Sequence, residues 1–165
     1  MMKKFCGIPV MLSALLAVGC LCGCQTHQSG EGIVLNEICG KDKDGLEWIE
    51  VGNASHNPIN LKGYKLWKMD AEGIDKKLYT FPDTTLGPNQ ILIVNEESLK
   101  AHIPHKKAVI VELYDANGEL VDSFDSDEEL DTDSLPAGSS YARIPNLTGE
   151  WQITEHATWN EANVE

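Results

Sequence analysis

From Ile33 onward, apolar and polar residues alternate in short runs, and turn chemistry breaks each run. The runs IVLNEIC (Ile33–Cys39), LEWIEV (46–51), YKLWKM (64–69), KLYTF (77–81) and QILIV (90–94) read as strands. So do AVIVELY (108–114), ELVDSF (119–124), residues 139–144 and residues 150–153. Their connections are KDKDG, a polar loop over 52–58, LGPN, DANG and PNLTG, rich in residues that favour turns. Asn-Gly between two apolar runs marks 115–118 as a hairpin turn. NEESLKAH (95–102) is the one segment with helix signals: Asn95 can cap it, and Glu96 and Glu97 suit the positive end of its dipole. About eight or nine strands, no repeat and no long helix predict an all-β fold, a β-sandwich.

Two acids sit at the wrong parity for this pattern. Glu50 shares a face with Trp48, and Glu37 shares one with Ile33 and Leu35, if both strands keep strict alternation. A carboxylate left ionised and unpaired among apolar strands costs several kcal/mol. Arg143 is the chain's one arginine and lies in a strand-like segment, SSYARIP. A guanidinium can hold one carboxylate bidentately and has donors left for a second. The pattern predicts a structural ion pair in which Arg143 ties the last strands to the first through Glu37, Glu50 or both. A hydrolase using Glu37 and Glu50 as paired carboxylates is the weaker reading, because it also needs a groove and a set separation.

The N-terminus has a different character. Lys3 and Lys4 precede an apolar stretch over 7–18 that is short for a membrane span, followed by GCLCGCQTHQSGEG. This arrangement resembles a bacterial lipoprotein signal, in which a cysteine after small residues is acylated and becomes the new N-terminus. Cys24, after Leu-Cys-Gly, fits that motif best; Cys20 is the alternative and Cys22, after leucine, fits badly. The expected organisation is a signal peptide over 1–23, a lipidated tether over 24–32 and a domain over 33–163. Lipidation of Cys24 would leave Cys39 without a disulfide partner, as a small buried hydrophobe.

Cleavage removes two lysines and takes the net charge from −13 to −15. Such a charge repels polyanions, and nucleic acid is excluded as a partner. Ten acids and no base lie between Glu112 and Asp133. Asp125, Asp127, Asp131 and Asp133 offer oxygens to Ca²⁺, but Leu130 stands where an EF-hand loop needs its turn glycine. A solvated acidic loop is the first reading and a Ca²⁺-dependent adhesion module the alternative. His102 and His105 are split by a proline and lack a third metal ligand nearby. No GxSxG, P-loop or HExxH motif is present.

Taken in order, the segments resemble the lamin tail domain, an immunoglobulin-like β-sandwich. IVLNEI is similar to that family's first strand with its Asn-Glu, EWIEVGN to its Trp-Ile-Glu strand, and INLKGYKL to its Leu-x-Gly-aromatic-x-Leu segment. YTFPDTTLGPNQILIV, LYDANGELVDSF and SYARIPNLTGEW resemble the hairpins and the Arg-x-Pro segment that follow. The resemblance runs from Ile33 to Asn163, and departs at the end, where Thr158-Trp159-Asn160 replaces a Thr-Pro-Gly turn. It implies a non-catalytic interaction or structural module without a cofactor. The chain is therefore expected to be an envelope lipoprotein, held by membrane lipid, with a protein or glycan partner. Gln25 after the acylated cysteine favours the outer membrane where the cell has one. Trp67 and Trp159 are the candidate exposed aromatics of its binding surface.

Overall fold

The computed structural model describes residues 32–69 and 75–163. The predicted signal peptide, Cys20, Cys22, Cys24 and the tether as far as residue 31 lie outside the described residues.

All nine predicted strands form, with no end shifted by more than two residues. They are β1 (Ile33–Cys39), β2 (Trp48–Asn53), β4 (Lys65–Met69), β5 (Asp75–Thr80), β7 (Ile91–Asn95), β8 (Ile110–Tyr114), β9 (Leu120–Asp125), β10 (Ser140–Ile144) and β11 (Glu150–Thr154). Two-residue strands β3 (Ile59–Asn60) and β6 (Thr85–Leu86) pair with each other. One sheet has the order β11-β10-β1-β2-β7 and the other β5-β4-β8-β9, with every pair antiparallel. Alternation along β4 buries Leu66 and along β8 buries Val111 and Leu113, while Leu35, Ile38, Ile49 and Val51 face them from β1 and β2 in one core cluster. The result is the expected immunoglobulin-like sandwich. DANG turns β8 into β9: the Gly118 N–H donates to the Asp115 carbonyl, and Gly118 adopts a φ of 86°.

The predicted helix over 95–102 does not form. One turn forms, with the Ser98 and Leu99 N–H groups on the Asn95 carbonyl, and the chain is then claimed elsewhere: the Lys100 N–H donates to the Leu78 carbonyl at 3.0 Å and, just beyond the segment, the Ile103 N–H to Glu47 Oε2 at 2.7 Å. A segment this short gains too little from its own turns to compete with such ties. The helix is instead α1 (Ser126–Leu130), in the acidic run.

Strict alternation fails in β1. The register passes from Leu35↔Val51 to Glu37↔Glu50, so Asn36 is the extra residue of a β-bulge. Leu35 and Ile38 face the core, and Glu37 is turned to the outer side of the sheet with Glu50 and Trp48. The shared face predicted for Glu37, Ile33 and Leu35 is thereby corrected.

Arg143 follows Tyr141 on β10 and points between the sheets, away from both glutamates. Its Nη2 lies 3.1 and 3.2 Å from the two carboxylate oxygens of Asp122 on β9. Its Nε donates to the Leu35 carbonyl at 2.9 Å and Nη1 to the Gly149 carbonyl at 3.2 Å, and its guanidinium lies over the Trp151 ring. Asp122 Oδ2 in turn accepts the Leu35 N–H at 2.8 Å. The predicted ion pair of Arg143 with Glu37 and Glu50 is thus replaced by a pair with Asp122. Arg143 does tie the last strands to the first, through a backbone carbonyl. Gly149 is required here, since a Cβ would fall 1.9 Å from the Ile144 carbonyl carbon.

Arg143 and Asp122 are both about 95% buried. Arg143→Met should therefore cost about 3–5 kcal/mol in urea unfolding, since it strands a buried carboxylate. Adding Asp122→Leu should recover part of that loss, and equal stability of Arg143→Met and wild type would refute the role given to the pair.

Candidate functional site

The outer face of the five-stranded sheet carries Glu37, Cys39, Trp48 and Glu50, all fully buried. What buries them is the chain after β11. The Thr158 N–H donates to Glu37 Oε1 at 2.8 Å, and the Thr158 hydroxyl lies 2.7 Å from Glu37 Oε2. The Asn160 N–H donates to Glu50 Oε1 at 2.9 Å, and the Asn36 amide donates to Glu50 Oε2 at 3.0 Å. Every oxygen of the two carboxylates therefore has a partner. Asn163 closes the segment, donating to the Asn36 carbonyl at 3.2 Å and the Arg143 carbonyl at 3.1 Å. No strand forms here. Residues 158–161 make a turn, with the Glu161 N–H on the Thr158 carbonyl and Asn160 at a φ of 55°. Asparagine tolerates that left-handed conformation, so it serves in place of the missing Pro-Gly.

Glu37 and Glu50 are directly opposed across antiparallel strands, where like charges repel. Burial first, and then the Glu37 carboxylate, push the Glu50 carboxyl up to about 7, against the lowering effect of the Asn160 and Asn36 donors. Burial likewise pushes the Cys39 thiol up to about 12, which fits the predicted inert, buried cysteine.

The hydrolase reading of Glu37 and Glu50 is corrected by this arrangement: neither carboxylate reaches solvent, and no oxygen is free for a substrate or a water. The acidic run, expected as a solvated loop, contains the helix α1. Asp125 caps α1 by accepting the Asp127 N–H at 3.0 Å, Asp127 lies in the first turn, and Asp131 is the left-handed C-cap. Asp125, Asp127, Asp131 and Asp133 are spread along a capped helix and its exit. Among the described residues, no three His, Cys, Asp or Glu side chains are grouped to hold a metal.

The two tryptophans open onto different hollows. Trp67 is half-buried on the outer face of the second sheet, where it lines a hollow of about 310 Å³ with Lys65, Asp75, Glu112 and Tyr114. Trp159 is 42% exposed and stands edge-on to Trp48, with ring centroids 4.9 Å apart. It lines a groove of about 510 Å³ between the β1–β2 turn and the C-terminal segment, with Leu46, Asp42, Lys43, Asp44 and His156.

Asp122, Asn36, Thr158 and Asn163 were not singled out from sequence. Asp122 carried a usable signal, since it shares strand parity with Phe124 just as Glu50 does with Trp48. The other three carried none, because ordinary polar residues acquire these roles only through distant partners.

The Lamin Tail Domain family model matches residues 26–127. The match stops inside α1, before β10 and β11, which the structure nevertheless builds into the first sheet. No curated protein matches the chain. Among solved structures, the archaellum periplasmic stator protein FlaG from Sulfolobus acidocaldarius is similar at 10% identity and a TM-score of 0.42, covering 56% of this chain and 96% of that one.

The Glu50 carboxyl is raised in the fold above its ordinary value of 4.5. Its stabilising contribution is therefore complete below that value and is lost as pH rises through about 7. Stability should fall by up to about 3 kcal/mol across that window. Glu50→Gln should flatten the profile between pH 4.5 and about 7, at the cost of one of the two hydrogen bonds that Glu50 accepts. A wild-type profile that rises with pH would contradict this assignment.

Proposed function

The chain belongs to the lamin tail domain family, and from that premise we propose that it is a non-catalytic binding module of the bacterial cell envelope. In this reading Cys24 carries the lipid and residues 24–32 are the tether. One observation carries the non-catalytic part: the two carboxylates best suited to chemistry are sealed under the C-terminal segment, with all their oxygens engaged.

Given such an anchor, the polarity of β1 orients the domain. The tether would enter at Ile33, while Cys39, paired with Trp48, lies at the other end of the strand, about 20 Å away at ~3.3 Å per residue. The Trp159 groove borders Trp48, so a membrane at the tether end would leave that groove facing outward. Among the described residues no helix is long and apolar enough to cross a membrane. The partner is a protein or a glycan. Nucleic acid is disfavoured by a net charge of −13 and a lone arginine already engaged with Asp122. Where the cell has an outer membrane, that is the favoured site.

Metabolic labelling with an alkynyl palmitate analogue, followed by membrane fractionation, tests the anchor. Wild type and Cys20→Ala should be labelled and sediment with membranes. Cys24→Ala should lose both properties. An unlabelled, soluble wild type would overturn the lipoprotein reading, and loss of label in Cys20→Ala alone would move the anchor to Cys20.

A further inference from the structure

We propose that Trp159 is a preformed anchor for a neutral pyranose saccharide, and that Glu37 and Glu50 are the positioning residues that hold it ready. The proposal rests on the binding-module reading and names its ligand class.

The two buried carboxylates act on the residues either side of one exposed ring. Glu37 holds the backbone and hydroxyl of Thr158, and Glu50 holds the backbone of Asn160. Trp159 lies between them. Burying two opposed carboxylates is costly, and the segment that does so also covers Trp48 with one side of the Trp159 ring. The rest of that ring stays open to solvent, so that Trp159 is 42% exposed yet held edge-on against Trp48. Rigid support for an exposed aromatic is what a binding anchor needs, because ordering costs are met before the ligand arrives.

The groove around it has the chemistry of a sugar site. Leu46 and Trp159, two of the four exposed large hydrophobics among the described residues, both line it. The opposite wall is a fixed turn, since Asp42 Oδ1 accepts the N–H groups of Asp44 and Leu46 at 2.8 and 2.7 Å. The rim mixes acceptors on Asp42 and Asp44 with donors on Lys43 and His156, so both kinds of hydrogen-bonding partner are offered. A polyanion would meet the chain's strong negative charge, and a simple cation would meet Lys43. A pyranose suits both features: its C–H face packs on indole, and its hydroxyls donate to carboxylates and accept from an ammonium. Exposed Lys43 and Asp44 now pair with each other at 2.6 Å and can exchange that contact for hydroxyls. A volume of about 510 Å³ accommodates a short oligosaccharide.

The full-length protein in detergent should be applied to an array of neutral and anionic glycans, including peptidoglycan fragments, beside a random peptide array. The expected result is binding to at least one neutral oligosaccharide, weakened about tenfold or more by Trp159→Ala. Lys43→Glu, at the exposed rim, should weaken it without lowering the melting temperature, which separates ligand contact from folding. Glu37→Ala should weaken binding more than Glu37→Gln, measured where both are folded, because glutamine keeps one acceptor for the Thr158 N–H. Binding of no glycan, of anionic glycans alone or of peptides alone would overturn the assignment. So would saccharide binding that survives Trp159→Ala but is lost in Trp67→Ala, although that result would leave the broader binding-module reading intact.

Discussion

The sandwich depends on a guanidinium and a carboxylate that meet between its sheets beside a bulge. At Leu35 the pairing of β1 with β10 has not yet begun, because that ladder starts at Glu37. The Leu35 N–H and carbonyl would be orphaned there, and buried orphan groups are costly. Asp122 takes the N–H and Arg143 takes the carbonyl, and the two side chains then neutralise each other. One arrangement satisfies the bulge, joins β9 to β10 and pairs two buried charges. A buried ion pair is not in itself strong stabilisation. Its contribution here is to specificity, because few other registers of β1, β9 and β10 would leave all three sets of groups satisfied.

The bulge has a second consequence on the opposite face. By turning Glu37 outward it places two carboxylates side by side, and this face cannot stay open without exposing Trp48 as well. The C-terminal segment answers both needs. Its backbone N–H groups meet the carboxylates, while the Trp159 ring packs on Trp48. The two faces of the sheet are also linked through Asn163, which donates to the carbonyls of both Asn36 and Arg143. The inner charge pair and the outer carboxylate pair thus share a frame. The groove beside Trp159 is built on the outer half of that frame.

Strands, turns and misplaced acids were legible in the sequence, because each is written in neighbouring residues. Alternation marked all nine of the longer strands, and Asn-Gly marked the hairpin at 115–118. The acids at Glu37 and Glu50 stood out as errors of parity, and both are buried with every carboxylate oxygen hydrogen-bonded. The helix was assigned to the wrong segment, since cap residues at 95–97 cannot reveal that Leu78 and Glu47 will claim the backbone that follows. The acidic run reads as a solvated loop, yet Asp125 within it caps a short helix.

The sequence by itself determined the all-β class, the order of the strands and the need for Glu37, Glu50 and Arg143 to find polar partners. Tertiary structure alone decided which partners they found. One extra residue, Asn36, reverses the parity of half a strand, so Glu37 joins Glu50 on the face of the sheet opposite Arg143. The groups that satisfy them lie far away in the chain: Leu35 is 87 residues from Asp122 and 108 from Arg143, and Glu37 is 121 from Thr158. Periodicity is a local property and reports which side chains need burial or pairing. A partner across such distances is fixed only when the sheets close and every buried donor must meet an acceptor.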